Sequence, residues 1–461
     1  MFTRVALLLA KLSQHKRRPV LIFFALATIM ALLIMGGLGL YKGVFAKNAR
    51  LAPAYQYRFE RLQAGKVIQA LQQEMAFYQT RIQRDPIGGL DLAALARAYL
   101  QMARASGEIH WYLLAEESAR RSLANLAYSN DGAVLVLARI AEARHDFSEA
   151  LRLANSISHN ADALAIKVTS YLAIGKLSMA ESAVKELLEK SPSLMGHVLY
   201  ALVKNAQGND EDTERHFENA FSLEEPGETA SSVWARTLLA RWHARRGHLA
   251  EARALYGEVL RVLPQYQFAI VNLAELELRE KDFAAAWGHF GQIFVIAKGN
   301  PTVFDHIALR GMARVKLLQG DNQKAQGLYA EAESVMRRDI QNFGHRRELA
   351  RLLLERGRSI DVPEARALLE AELEVRRDAE TLDIYAWALM QSEKTQQAKA
   401  IIEEALASGA REAPYFYRAA VIEKKLENQA QAEHYMQFAL KTDPAFDETT
   451  HQALGLGLET K

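Results

Sequence analysis

The same small, aromatic and glycine positions recur about every 34 residues along the chain after residue 90. In the clearest pair of units, Ala240 and Ala252 are matched 34 residues later by Ala274 and Ala286. A period of this size is typical of helix-turn-helix units, each of which buries its apolar face only by stacking on its neighbours. The chain is therefore expected to form an array of units and not a single compact core.

A small residue opens the predicted second helix of each unit, where two helix backbones must approach closely. Ten such positions follow one another along the chain: Ala115, Ala150, Ala180, Thr213, Ala252, Ala286, Ala325, Ala365, Ala398 and Ala432. Gly247 and Gly320 fall where a first helix must end in a left-handed turn. Residues 224–232 and 297–305 break the register by lengthening connections, and 358–363 lengthens a turn within one pair. About ten helix pairs are predicted.

These alanines, with a large side chain such as Tyr256 or Phe290 four residues further on, resemble the tetratricopeptide repeat (TPR) family. The resemblance covers about three quarters of the chain. It implies an all-α, right-handed superhelical solenoid whose first helices line a concave surface for protein or peptide partners. One subtype of the family clamps the C-terminal carboxylate of cytosolic chaperones. Asn272 matches one position of that clamp, but Arg241 and Gly311 depart from it, so the clamp is incomplete.

The order of features predicts five segments. Residues 1–18 form a basic leader, 19–41 a transmembrane helix, 42–90 a connector or capping helix, 91–444 the solenoid and 445–461 a C-terminal cap or tail. Residues 19–41 carry no charge and are long enough for the roughly 30 Å hydrocarbon core of a bilayer. The alternative is a cleaved signal peptide, for which Val44 and Ala46 would suit the cleavage site.

The connector holds apolar side chains at helical spacing between Val67 and Ile82, with Met75 near its centre. It is expected to form a helix that either caps the first repeat or acts as a stalk.

The compartment depends on the membrane orientation. Lys16, Arg17 and Arg18 abut the apolar stretch on its N-terminal side, and this denser basic block should remain cytoplasmic. The repeats are then expected on the periplasmic side of a bacterial inner membrane. The opposite orientation is the alternative. The absence of cysteine suits an oxidising compartment but is weak evidence.

Charge and motifs restrict the class of function. After residue 50 the chain has 49 basic and 55 acidic residues, which argues against nucleic acid as a partner. The chain has no HExxH motif, no phosphate-binding glycine loop and no cysteine for a zinc site or a thiol nucleophile. No enzyme activity, cofactor, metal or small-molecule substrate is expected.

The candidate partner-binding residues lie on the predicted first helices. Arginines at i, i+4 spacing share a helix face and could form a basic stripe for the carboxylates of an acidic segment: Arg241, Arg245, Arg310, Arg314, Arg347 and Arg351, with Asn272 from the intervening repeat. The alternative is that neighbouring glutamates neutralise them. A second patch comprises Trp387, Tyr415 and Tyr417, which are anchors if exposed and core residues if buried.

The resulting hypothesis is a single-pass, membrane-anchored TPR scaffold that binds protein or peptide partners during assembly of an envelope complex. Two alternatives remain. One is a cytoplasm-facing adaptor that recruits a soluble partner, and the other is a structural accessory subunit of a membrane enzyme complex.

Overall fold

The computed structural model describes residues 51–60, 65–158, 160–338 and 345–447. The predicted leader 1–18, the predicted membrane span 19–41, residues 42–50 of the predicted connector and residues 448–461 of the predicted tail lie outside these ranges. Within the described ranges, no helix combines the length and the apolar character that a membrane crossing requires.

Twenty-one α-helices lie within the described ranges. They are α1 Lys66–Arg84, α2 Gly89–Ser106, α3 Ile109–Asn125, α4 Asp131–Ala143, α5 Phe147–Asn155, α6 Ala161–Ala173, α7 Leu177–Lys190, α8 Leu194–Ala206, α9 Asp210–Ser222, α10 Thr229–Arg245, α11 Leu249–Val262, α12 Gln267–Arg279, α13 Phe283–Ala297, α14 Asp305–Leu318, α15 Asn322–Arg338, α16 Arg346–Glu355, α17 Val362–Leu373, α18 Ala379–Gln391, α19 Thr395–Ala407, α20 Ala413–Lys425 and α21 Gln429–Thr442.

Helices α2 to α21 form ten successive antiparallel hairpins, α2–α3 through α20–α21, which stack side by side. This part of the chain is a helical-repeat solenoid, consistent with a TPR-like fold. The ten small residues that open the second helices are buried, nine of them completely and Ala432 at 6% exposure. Tyr256, Phe290 and Tyr329, four residues further on, fill the space between successive hairpins. The all-helical repeat architecture predicted from the alanine spacing is confirmed.

Each hairpin turn contains one residue with positive φ: Gly107, His145, Gly175, Gly208, Gly247, Lys281, Gly320, Gly357, Glu393 and Glu427. The left-handed turns predicted at Gly247 and Gly320 are confirmed, with φ of 77° and 81°. Four of the ten turns have a residue other than glycine in this conformation, namely His145, Lys281, Glu393 and Glu427. The left-handed conformation costs such a residue about 1–2 kcal/mol relative to glycine. The turn geometry is therefore imposed by helix packing even where the sequence does not favour it.

Helix α1 packs along the first hairpin. Met75 is buried against it, and Leu71 and Tyr78 are partly buried in the same apolar cluster. Helix α1 therefore covers an apolar face of the first repeat.

The solenoid winds back on itself, so that hairpin turns near its start contact connections about 200 residues later. We call these contacts the inter-turn seam. It joins residues 106–109 to residues 267 and 300–304, and residues 145–147 and 173–176 to residues 372–377. It also joins residues 207–210 and 244–248 to residues 409–412 and 443–447. Its backbone hydrogen bonds include Arg377 N to Ala173 O at 3.0 Å. A Cβ atom on Gly208 would collide with the carbonyl oxygen of Gly409, so this approach needs glycine.

The two longer register breaks are the connection 223–228 between α9 and α10 and the connection 298–304 between α13 and α14. The third insertion forms a short 3-10 helix, Ser359–Asp361, between α16 and α17. Residues 51–59 pack against α9, α10 and α11 beside the first of these connections, where Tyr57 is buried. Distant parts of the chain therefore meet at the interruptions in the repeat.

Candidate functional site

Six consecutive first helices converge on one cavity of about 580 Å³. They are α10, α12, α14, α16, α18 and α20, and residues 443–447 complete the wall. The inter-turn seam closes the wall by bringing the last hairpin against α10. Arg279 on α12 donates to both carboxylate oxygens of Asp443 at 2.5 and 2.6 Å. Arg245 reaches Glu412 at 3.3 Å. The cavity is therefore formed by the winding of the solenoid and not by any one repeat.

All ten predicted partner-binding residues line this cavity: Arg241, Arg245, Asn272, Arg310, Arg314, Arg347, Arg351, Trp387, Tyr415 and Tyr417. Helical spacing places each i, i+4 pair on one side of its helix, and stacking points those sides inward. Whether a partner binds them stays a prediction.

The arginines do not form the free basic stripe that was expected, because five of the six pair with carboxylates. Besides the Arg245–Glu412 pair, Arg314 donates to Glu275 at 2.7 Å and Arg310 lies 3.4 Å from Glu348. Arg347 and Arg351 both pair with Glu380 and Glu348. These acids also stand on first helices or at their N-terminal ends, so the repeats supply both charges to the same surface.

The charges at the centre of the cavity stabilise one another. Burial raises the pKa of a carboxyl group, but at Glu348 the guanidinium groups of Arg351 and Arg347 outweigh burial and hold the pKa well below its usual range. The same two arginines lower the pKa of Glu380. Both carboxylates are therefore ionised at neutral pH, and the cavity wall presents paired charges of both signs. Counted over the lining residues, eight arginines face eight carboxylates.

Arg241 is the exception among the predicted arginines. It makes no ion pair with any residue that the structure describes, and its guanidinium lies over the Phe268 ring at 5.5 Å. Burial lowers the pKa of Arg241, and the neighbouring charge of Arg245 lowers it further. Among the described residues Glu380 and Glu412 favour the charged form of Arg241, but neither forms an ion pair with it.

The three aromatic candidates are buried, with exposures of 1% for Trp387, 7% for Tyr415 and 2% for Tyr417. Arg418 stacks over the Trp387 ring at 4.9 Å and binds Asp383 at 2.6 Å. Because they are packed and covered, these rings match the core interpretation and not that of exposed anchors. Their role in the cavity is to form a firm wall.

Asn272 is engaged in its own helix, where its side-chain amide donates to the carbonyl of Phe268 at 2.6 Å. Arg241, Ile307 and Gly311 stand in place of the other clamp residues, so the geometry gives no carboxylate clamp of the chaperone-binding type. Among the described residues there is also no cluster of three potential metal ligands. The cavity therefore presents paired charges between aromatic walls.

Arg104, which stands at the same first-helix position as Arg241, was not among the predicted residues, although a signal for it existed. Arg104 directly follows Ala103, just as Arg241 follows Ala240, and both alanines occupy the same position of a first helix. Extending the alanine register to the first repeat would have found it. The closing residues Glu412 and Asp443 had no such signal, because they meet α10 and α12 across about 165 residues of chain.

No protein-family model and no curated protein matches the chain. One similar solved structure is the crystal structure of the APC/C hetero-tetramer Cut9-Hcn1. It is 12% identical to this chain, with a TM-score of 0.32, and the match covers 85% of this chain and 87% of that chain. At this level of similarity the match carries no weight on function, and the site is argued from its own geometry.

Proposed function

We propose that this chain is a protein-binding scaffold that holds a segment of a partner protein in the cavity lined by α10, α12, α14, α16, α18 and α20. The observation that carries the proposal is the convergence of six consecutive repeats on one concave surface. A cavity of about 580 Å³ admits a short stretch of polypeptide and not a folded domain. The paired charges offer hydrogen bonds to such a segment, and the partly buried rings of Phe268 and Phe304 offer apolar contact.

Site-specific photocrosslinking in native membranes tests this proposal. A photoreactive residue at Asn272, which lines the cavity, is expected to capture a partner segment that peptide mapping identifies. The matched control carries the same photoreactive residue at Arg121, exposed on the outer helix α3. Equal capture of the same partner from both positions would place the interface elsewhere. Copurification of the chain with other membrane proteins in a fixed ratio, with no label from Asn272, would support a structural accessory subunit instead.

We propose further that residues 19–41 anchor the chain in a bacterial inner membrane with the solenoid on the periplasmic side, where it serves assembly of an envelope complex. This rests on the uncharged stretch and on the basic block Lys16 to Arg18 before it. A reporter that is active only outside the cytoplasm, fused after residue 50, is expected to be active. If that reporter is inactive, while a reporter that works only in the cytoplasm is active at the same position, the adaptor that faces the cytoplasm is favoured instead.

A further inference from the structure

One position of the first helix lines the cavity in several repeats, where Arg241, Arg314 and Arg351 occupy it. It directly follows the buried first-helix alanine and holds arginine in five hairpins: Arg104, Arg139, Arg241, Arg314 and Arg351. Three of these arginines have carboxylate partners. Arg139 pairs with Glu142 at 2.9 Å and Arg314 with Glu275 at 2.7 Å, and Arg351 pairs with Glu380. The usual arrangement at this position is therefore an arginine neutralised by a nearby acid.

Arg104 and Arg241 depart from this arrangement. Neither makes an ion pair or hydrogen bond with any side chain in the part of the chain that the structure describes. Each also has a like-charged neighbour, Arg139 beside Arg104 and Arg245 beside Arg241. Burial, reinforced by these neighbours, lowers the pKa of both guanidinium groups. Arg104 is exposed and Arg241 is half-buried. Glu142 and Asp162 favour the charged form of Arg104, and Glu380 and Glu412 that of Arg241, but these acids do not offset the lowering of the pKa, so each cation is incompletely compensated.

Arg241 lies beside an aromatic cluster formed by Tyr266, Phe268 and Phe304, and the helix that carries Arg104 ends against the same cluster. The Phe268 ring centroid is 6.3 Å from that of Tyr266 and 6.5 Å from that of Phe304. Arg241 lies over Phe268 at 5.5 Å.

Arg104 stands on the last turn of α2, which abuts this cluster from the first turn of the superhelix. Gln267 donates to the carbonyl of Ser106 at 2.8 Å, and a Cβ on Gly107 would lie 2.9 Å from the Phe304 ring. Burial raises the pKa of Tyr266, and the charge of Arg104 opposes this rise, as expected for two neighbouring groups. The seam therefore brings one unpaired arginine from each superhelical turn to the same apolar surface.

We infer that Arg104 and Arg241 bind carboxylates of an acidic partner segment that packs on Tyr266, Phe268 and Phe304; this rests on the proposed scaffold function. Charge complementarity identifies the occupant. Seven of the eight arginines that line the cavity already have carboxylate partners, whereas Arg241 and the adjoining Arg104 have none among the described residues. An acidic stretch would supply the missing counter-ions through charge-assisted hydrogen bonds, which are about twice as strong as neutral ones.

The test measures binding of a fluorescein-labelled hexaglutamate peptide to the full chain by fluorescence anisotropy at low salt. The double variant Arg104→Gln/Arg241→Gln is expected to bind at least ~10-fold more weakly, since each lost charge-assisted bond is worth about one power of ten in affinity. Arg121→Gln removes the same charge from the exposed outer helix α3 and is the matched control, with an expected change below about 2-fold at the low salt used. Because Arg104 and Arg241 leave no orphaned carboxylate behind, the double variant is expected to keep its helical circular dichroism.

Further arms identify the chemistry of the ligand. Glu275→Gln frees Arg314 and is expected to strengthen hexaglutamate binding. Hexaglutamine and hexalysine are expected not to bind. Unchanged hexaglutamate binding by the double variant would overturn the inference. Displacement of the peptide by inorganic phosphate at equal charge concentration would overturn it too. So would tighter binding of a single-stranded RNA that carries the same charge. If photocrosslinking from Asn272 still captures a partner in any of these cases, the scaffold function stands and only the acidic segment is excluded.

Discussion

Two connections interrupt the repeat register, and each is contacted by a distant part of the chain in a different way. At 223–228, residues 51–59 enter beside the connection and become part of the core, with Tyr57 buried and its backbone amide bound to Glu258 at 2.7 Å. At 298–304 the connection itself reaches out to the first hairpin. There the amide of Ile109 donates to Pro301 O at 3.1 Å, and that of Val303 to Gly107 O at 3.0 Å.

The difference between the two connections is one of buried charge, since the second also buries a side chain, that of Thr302 at 1% exposure. Beside the first, Arg236 and Glu224 form an ion pair with both side chains fully buried, and Arg236 also donates to the carbonyl of Tyr55 at 2.7 Å. The second depends on backbone hydrogen bonds and on an exposed side-chain bond from Asn300 to Glu108 at 3.0 Å. We therefore expect the first connection to contribute mainly to stability and the second mainly to the position of one superhelical turn on the next.

The largest expected effect is at Arg236. Arg236→Ala leaves Glu224 buried without its counter-ion and is expected to lower the free energy of unfolding by about 3–5 kcal/mol, measured by urea denaturation. Arg152→Ala, which breaks the exposed pair with Glu149, is the control and should cost less than about 1 kcal/mol. Replacing both buried partners together, as Arg236→Met/Glu224→Leu, should be much less harmful than Arg236→Ala. Equal losses in the Arg236→Ala and control variants would contradict a buried, stabilising junction.

The next effect is at Tyr57. Tyr57→Ala removes a buried ring that stacks with Arg236, and it is expected to cost about 3 kcal/mol by analogy with other large aromatic truncations. Tyr128→Ala is the matched control, because that ring is 85% exposed; its effect should stay within about 0.5 kcal/mol. If Tyr57→Ala is as harmless as the control, residues 51–59 only rest on the solenoid and do not complete its core.

Acidification acts on both connections through histidine pairs. The pairs His197–His216 and His243–His248 flank the first connection, and His306–His345 follows the second. Burial, with the partner histidine, lowers the pKa of His243 to about 4 and that of His306 to about 3. The folded chain keeps these rings neutral while the unfolded chain binds protons below about pH 6.5, so stability is complete above that pH and falls as the pH drops toward the folded-state values.

One such histidine accounts for about 2 kcal/mol of lost stability at pH 5. His306→Gln is therefore expected to flatten the decrease in unfolding free energy between pH 7 and pH 5 by about this amount. His434→Gln, at an exposed histidine, is the matched control for the substitution itself. Identical pH profiles for wild type and His306→Gln would show that the His306–His345 pair is not buried as a neutral unit.

The sequence predicted the repeated part of the molecule well, and the reason is local packing. The buried alanines mark every hairpin, and i, i+4 spacing placed all the predicted arginines on the cavity side. The sequence left open whether the cavity arginines stay free or pair with glutamates, because a pair such as Arg314 with Glu275 depends on how neighbouring helices stack. The packing of residues 51–59 and the inter-turn seam could not be predicted, since their contacts join residues about 200 positions apart and no periodicity reports the pitch of a superhelix.

The smallest expected effect is at the second connection, and it decides whether the two connections really differ. Asn300→Ala removes the exposed hydrogen bond to Glu108 but leaves the backbone bonds of Ile109 and Val303 in place. The loss should be about 1 kcal/mol or less, and hydrogen exchange at those two amides should become faster while exchange at the Tyr57 amide stays the same. Because the bond lies at the surface, its effect should be local, opening the inter-turn seam without unfolding the hairpins. A loss as large as that of Arg236→Ala would mean that contact between superhelical turns, and not burial beside 223–228, is what stabilises the solenoid.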